Sequence, residues 1–277
     1  MPFKIFWETT MKKNHLCELT WTPFFSLFSR EVHRFFKVIF QTLATPLISA
    51  TLYLMIFGVS IGKEIQNIRD FPYLAFLIPG LVMMGTLRNA FDNSSGSIII
   101  SKFCGELEDL QVAPISPTQI AWANGLGGLV RGLIVGSITL IIGIAFYWVA
   151  YKTFLSISHP FLLLFFMFCG GLAFANLGLA VAMQSVNFEH VSAINTFILL
   201  PLIYLGGVFF SLDHLHPFWQ TLSQFNPLFY LINGVRYSIL GSSDVNITLS
   251  FLVSLLTLIA FHSLAVWSLK KGSYHCW

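Results

Sequence analysis

The sequence predicts an all-α integral membrane protein with six transmembrane helices. Three observations carry this. Hydrophobic residues make up 56% of the 277 and charged residues 10%, against about 25% charged in a soluble domain. Six apolar stretches approach or exceed the roughly 20 residues that cross a bilayer. Cations gather at the chain's two ends: Lys4, Lys12, Lys13, Arg30, Arg34 and Lys37 precede the first stretch, and Lys270 and Lys271 follow the last. An even number of spans puts both termini on one side, and the positive-inside rule makes that side the cytoplasm. The opposite loops hold only Lys63, Arg69, Lys152 and Arg236.

The organisation is a cytoplasmic N-terminal segment at 1–37, a six-span domain at 38–269 and a cytoplasmic tail at 270–277. Residues 1–21 carry Lys4, Glu8, Lys12, Lys13 and Glu18 with no continuous apolar core. They do not read as a signal peptide, so the first span serves as the uncleaved targeting element. At 24–39, Phe24, Phe25, Phe28, Val32, Phe35, Phe36 and Ile39 recur at helical spacing, opposite Ser29, Arg30, His33, Arg34 and Lys37. Thr22-Pro23 is a favourable helix start. This reads as a helix lying in the cytoplasmic interface with its apolar face in lipid. An N-terminal extension of the first span competes with that reading.

The spans are placed at 38–59 (containing Pro46), 71–91, 120–150, 160–184, 192–212 and 247–269. The third is long enough to tilt or to project beyond the bilayer. Between the second and third lies the largest polar interruption, 92–118. Its core at 102–117 holds Glu106, Asp109 and Gln111 among Leu107, Leu110 and Val112, and Pro114 and Pro117 stop it. A short acidic helix there suits docking to another protein; an ordinary solvated loop is the competing reading. Gly128, Gly132 and Gly136 on the third span, and Gly170, Gly178 and Ala182 on the fourth, form small-residue faces that let helices approach closely.

The stretch 201–241 is the most informative. It opens as the end of an apolar span containing Pro201 and Gly206-Gly207, then breaks at 211–216. Two pieces too short to span follow, 217–225 and 227–240, divided by Asn226-Pro227. It is either a broken, re-entrant hairpin, whose irregular backbone needs protein or water around it, or a helix lying flat at the outer interface.

Arg131 is read as the one charge well inside a span, which makes it a functional candidate by default. Anchoring between helices is the preferred role over substrate contact. Arg88, taken to lie near the inner end of the second span, has the same reading. Gly58, Gly62, Lys63 and Glu64 resemble a phosphate loop but fail its spacing, and Glu64 stands where a hydroxyl would bind magnesium. The chain is therefore not expected to hydrolyse ATP. Cys17, Cys104, Cys169 and Cys276 are scattered, implying neither disulfide framework nor zinc site. Asp213, His214 and His216 read as a loop, not a metal site. Asn246 and Thr248 form a glycosylation acceptor pattern, relevant only in a eukaryotic secretory membrane.

Together these pieces resemble the membrane subunit of ABC-2 type transporters, and look like the bacterial YadH-type inner-membrane permeases, with nodulation-signal and drug exporters as more distant kin. The resemblance spans about 30–271 and is carried by 76–84 (FLIPGLVMM), by 106–116 (ELEDLQVAPIS), and by Gly206 to Ser211 running on to Asn226-Pro227 and Arg236. It implies a permease of the bacterial inner membrane that forms a homodimer, each copy binding one ATPase subunit. ATP and magnesium would sit on that partner, and this chain would bind no cofactor, metal or nucleic acid. Glu106, Leu107, Glu108, Asp109 and Leu110 match the family's coupling helix. The amphipathic N-terminal helix with Arg30 and Arg34 matches its connecting helix, and membrane lipids are further partners. Gly206, Gly207, Phe210, Asn226, Pro227, Phe229 and Arg236 match an extracytoplasmic re-entrant hairpin on the substrate path. The first, second and fifth spans are expected at the dimer interface, with Phe210 and Phe229 near its outer end.

Three other readings compete. An ion-coupled secondary carrier needs acids inside its spans, and Asp92 and Glu189 are placed only at span edges. An intramembrane lipid-modifying enzyme needs clustered nucleophile, base or metal ligands, and none is seen. A non-transporting membrane anchor is a third possibility.

Overall fold

The computed structural model describes residues 21–60, 71–211 and 216–271, and these are helical with no strand among them. Helix α1 (Thr22–Lys37) begins with Pro23 in its first turn and bends 64° into the next helix. That bend favours a separate N-terminal helix over an extension of the first span. Its apolar face is divided. Phe24, Leu27 and Phe35 are buried, and α1 packs on the long helix α5 described below. Phe25 and Phe36 stay exposed. Helix α2 (Ile39–Tyr53) contains Pro46 and runs into a widened π-helical segment, Leu54–Ser60.

Helix α3 (Tyr73–Phe103) departs most from expectation. The second span was placed at 71–91, with a polar interruption from Asp92. The helix instead continues to Phe103. Its inner half is rich in Ser and Asn because neighbouring backbones press against it. The Ser95 hydroxyl donates to the Phe91 carbonyl at 2.8 Å, and that of Ser94 to the Asn124 carbonyl at 3.3 Å. A Cβ added to Gly128 would stand 2.9 Å from the Ala90 carbonyl oxygen, one on Gly132 2.7 Å from that of Thr86, and one on Gly178 2.5 Å from that of Phe91. The glycine faces of the third and fourth spans are thus packing faces against α3. The same small polar residues that imitate a loop in sequence permit that approach.

Helix α4 (Glu106–Val112) follows Gly105, whose φ of +75° turns the chain. Helix α5 (Pro117–Tyr151) starts with a reciprocal cap between Ser116 and Gln119, and α6 spans Pro160–Gln184. Helix α7 (Phe188–Leu205) widens at Asn195–Leu199. It stops at the Gly206-Gly207 turn, short of the predicted 212, with Gly207 at a φ of +83°. Helices α8 (Pro217–Phe225), α9 (Pro227–Leu240) and α10 (Ile247–Lys271) complete the order.

Among the described residues, α3, α5, α6, α7 and α10 are each long and apolar enough to cross a membrane, and α1 with α2 makes a bent sixth candidate. The core lies around α3, which packs on α5, α6 and α9. Helix α9 is itself buried along most of its length. Helix α8 leaves Phe218, Trp219, Leu222 and Phe225 exposed.

Candidate functional site

Helix α3 is covered on nearly every side, and its openings form one line. Gly85, Arg88, Asp92, Gly96, Ile100 and Phe103 are its partly or fully exposed residues, three or four apart and therefore on one face. Arg88 and Asp92 on that stripe stand 3.9 Å apart. The Asn195 amide, in the widened turn of α7, donates to Asp92 at 2.6 Å. Across from them, Arg131 on α5 donates to the Asn89 side chain at 3.4 Å, and its Nε has no partner. The Phe35 ring lies 6.0 Å from its guanidinium.

Arg88, Asn89, Asp92 and Arg131 line a cavity of about 300 Å³ among α2, α3 and α5, with Thr45, Ser49 and Tyr53 on its α2 wall. Two arginines face one aspartate there. The Tyr53 and Tyr204 hydroxyls meet at 3.3 Å between α2 and α7. An apolar groove of about 640 Å³, with Tyr204 in its lining, runs between α7 and α8, lined also by Phe197, Leu202, Phe210, Trp219 and Leu222.

The expectation for Arg131 is corrected in part. It does bridge helices, but it also faces a cavity, and it is not the one charge inside a long helix. Arg88 stands midway along α3, which runs on past the predicted end of the second span, and Asp92 lies on α3's open stripe. Lys102, also on α3, is buried, donating to the carbonyls of Ala182, Met183 and Ser185 at 2.7–3.1 Å. It caps the C-terminus of α6, where a cation suits the helix dipole.

At the C-terminal end of α3 the predicted coupling residues come together. Glu106, Glu108 and Asp109 are exposed on α4, Leu110 is half-buried, and Leu107 is buried at 1% exposure. Leu107 thus anchors α4 to the core rather than offering itself to a partner. Arg30 reaches Glu106 at 3.4 Å and Glu31 at 3.5 Å. Arg34 pairs with Glu31 at 3.1 Å and donates to the Asn93 carbonyl at 3.3 Å. Glu31, 2% exposed, also accepts from Ser97 at 2.7 Å. Sequence reasoning missed Glu31, although the signal was present: it continues the buried stripe Phe24, Leu27, Phe35 at helical spacing.

At the N-terminal end of α3, Arg236 is corrected from a loop charge to a buried clasp. It lies on α9, 2% exposed, 3.0 Å from an equally buried Asp244. It donates to the Gly207 carbonyl at 2.6 Å and stacks 3.8 Å over the Phe76 ring of α3. The Ser211 hydroxyl donates to Asp244 at 3.3 Å. Asn226 caps α9 through the Leu228 amide at 3.1 Å and donates to the Leu202 carbonyl at 2.6 Å, with Pro227 in the first turn. Gly206, Gly207, Asn226, Pro227 and Arg236 therefore form one assembly. Phe229 is fully buried within this chain and does not face a partner, whereas Phe210 lines the apolar groove. Asp244 went unrecognised, because nothing local in sequence pairs it with Arg236. His216 caps α8 through the Phe218 amide at 3.4 Å. Asp213, His214, Gly62, Lys63 and Glu64 lie outside the described residues.

Residues 22–240 match the ABC-2 type transporter model. The inner membrane transport permease YadH of Escherichia coli K12 is 40% identical over 255 residues, covering 92% of this chain and 96% of that protein. Nodulation protein J of Rhizobium leguminosarum bv. trifolii is 26% identical over 213 residues, covering 74% and 75%. The matched region embraces the open stripe of α3, the acidic helix α4 and the Gly207–Arg236 clasp alike, and on that breadth this chain belongs to the ABC-2 type transporter family, as a membrane-spanning permease.

Proposed function

We propose that this chain is the permease subunit of an ATP-driven exporter in a bacterial inner membrane, acting as a homodimer with two separate ATPase subunits. The open stripe of α3 carries the reading. Arg88 stands midway along a helix of 31 residues, about 46 Å at 1.5 Å per residue, against a hydrocarbon core of about 30 Å. A charged pair exposed to lipid within the hydrocarbon core is costly, at least about 2.5 kcal/mol for an arginine at its centre, and this supports a stripe that faces a water-filled route. Helices α2 and α7 flank it, and a second copy across a two-fold axis closes the other wall. This assigns α2, α7 and only the open stripe of α3 to the interface, a narrower role for the second span than the sequence suggested.

With both termini in the cytoplasm, the exposed acids of α4 meet the ATPase, and α1 adjoins them through Arg30 and Arg34. ATP and magnesium are held by that ATPase. Helices α8 and α9 sit at the extracytoplasmic end, α9 re-entering the bundle, and lipid contacts the exposed Phe25, Phe36 and Phe40. An ion-coupled carrier is the second reading, because Asp92 supplies the acid such a mechanism needs; uptake into inverted vesicles that ignores ATP but follows a proton gradient would favour it.

The test is reconstitution with the co-purified ATPase. Asp109→Lys, on an exposed side chain, is expected to abolish stimulation of ATP hydrolysis by the permease while leaving the thermal midpoint unchanged. Full stimulation in a correctly assembled Asp109→Lys complex would remove the assignment of α4. Single cysteines at Phe197, Ile198 and Leu202 of α7 are expected to crosslink two copies; a permease that stays monomeric yet transports would remove the dimer.

A further inference from the structure

Helix α1 carries three lines of residues, each about a third of a turn from the next. Phe24, Leu27, Glu31 and Phe35 are buried against the bundle. Phe25, Val32 and Phe36 make a second line, with Phe25 and Phe36 well exposed. Ser26, Arg30, His33 and Lys37 make a third, four, three and four apart, and all four are exposed. A helix that opens an apolar line beside a cationic one suits an interface, with its apolar side among acyl chains and its cations at headgroup level. The charge of α1 is also one-sided. Its single carboxylate, Glu31, is buried, accepting from Ser97 at 2.7 Å and pairing with Arg34 at 3.1 Å. Among the described residues the ion pairs of α1 join Arg30 to Glu31 and Glu106, and Arg34 to Glu31; Lys37 takes no part in them.

Arg30 is the member of the cationic line that also reaches α4. It stands 3.4 Å from Glu106, with the two side chains 43% and 52% exposed. A pair that open to water is worth at most about fivefold in an equilibrium. An anionic leaflet attracts each Lys or Arg near its surface by a similar factor, about fivefold. The two attractions are matched, so Arg30 divides between Glu106 and a lipid phosphate according to the charge of the membrane. Nothing else need move. Glu31 keeps Ser97 and Arg34, which hold α1 in its seat, and Glu106 keeps the Ser101 hydroxyl as a donor at 3.4 Å.

We propose that the outward cationic line of α1 is a docking surface for anionic phospholipid headgroups. A headgroup phosphate that takes Arg30 from Glu106 frees Glu106 to join Glu108 and Asp109 in the acidic surface that α4 offers the ATPase. An anionic membrane thereby raises coupling and a neutral one holds it down. This rests on the reading above that sets α1 and α4 at the cytoplasmic face beside the ATPase.

The experiment uses the permease–ATPase complex in phosphatidylcholine nanodiscs, with phosphatidylglycerol added in steps. A photoactivatable phosphatidylglycerol is expected to label α1 about fivefold more than the matching phosphatidylcholine probe. Stimulation of ATP hydrolysis by the permease is expected to rise with phosphatidylglycerol, by no more than the roughly fivefold an exposed ion pair is worth. Arg30→Gln removes the bridge, and is expected to give the high rate in phosphatidylcholine alone with no further response to phosphatidylglycerol. Lys37→Gln keeps the bridge but loses a headgroup partner, and is expected to shift the response to severalfold more phosphatidylglycerol. Both side chains lie on the surface, so both complexes should elute in size exclusion as the native one does.

Equal labelling of α1 by the two probes, or a phosphatidylglycerol response that survives Arg30→Gln, would overturn the proposal. So would loss of the ATPase from the Arg30→Gln or Lys37→Gln complex in phosphatidylcholine, because the cationic line would then belong to the ATPase. An equal rise from glycerol phosphate added in solution would make the ligand a free phosphate and overturn the lipid surface. The coupling reading fails separately: preferential labelling of α1 in a permease that never stimulates ATP hydrolysis would leave the lipid surface standing and remove α4 as the ATPase contact.

Discussion

At the outer end of α3, Arg236 and Asp244 meet with their side chains 2% and 3% exposed; at its inner end, Arg30 and Glu106 meet with theirs 43% and 52% exposed. The outer pair is enclosed, with Gly207, Ser211 and Phe76 completing its contacts. The inner ion pairs run in series, from Glu106 on α4 through Arg30 to Glu31, and from Glu31 to Arg34. Removing one member of an enclosed pair leaves a stranded charge in low dielectric. An exposed pair exchanges its partner for water at little cost. One end of α3 is therefore held fast, while the end that faces the proposed ATPase can shift α4 against α1 without passing through an unsolvated charge.

The largest expected effect follows at the outer clasp. Arg236→Gln or Asp244→Asn should destabilise the assembled permease by about 3–5 kcal/mol, read as lost yield and a lower midpoint in fluorescence size-exclusion melts. The double variant Arg236→Met, Asp244→Leu should recover much of that loss. If either single variant melts like the native protein, the clasp is not holding the outer end. Leu107→Ala comes next, at about 2–5 kcal/mol for an emptied core position. Leu107 thus serves the fold, and Asp109 is the cleaner place to test coupling.

Glu31→Gln should be intermediate. It keeps the hydrogen bond to Ser97 but leaves Arg34 without its carboxylate, a loss of about 1.5–3 kcal/mol for bonds to charged groups. Its signature should be a weakened response of ATPase to permease, greater than the change in melting. Arg30→Ala should be the smallest, within about 1 kcal/mol. An Arg30→Ala effect as large as that of Arg236→Gln would erase the contrast between the two ends.

The features legible in the sequence have local causes. Helices α8 and α9 begin and end where the sequence alone placed them, because His216-Pro217 and Asn226-Pro227 supply cap and first-turn proline within adjacent residues. The spans α6 and α10 followed from length and apolarity. The short helix α4 followed from the acids set among Leu107, Leu110 and Val112 and from the prolines that stop it. The inner half of α3 did not, because Asn93, Ser94, Ser95, Ser97 and Ser101 score as a loop unless the glycines of α5 and the carboxylate of Glu31 are already in place against them.

The sequence by itself determined that this chain carries several helices able to cross a membrane and to which family it belongs. Those are properties of composition, segment length and short motifs. Only the tertiary structure decided which charges share a site. Arg131 meets Asn89 from 42 positions away and Asp92 meets Asn195 from 103, and no local pattern encodes such pairings. In a bundle whose surroundings offer almost no water, each buried charge must find its partner through the packing of helices, so the packing decided what the charges do.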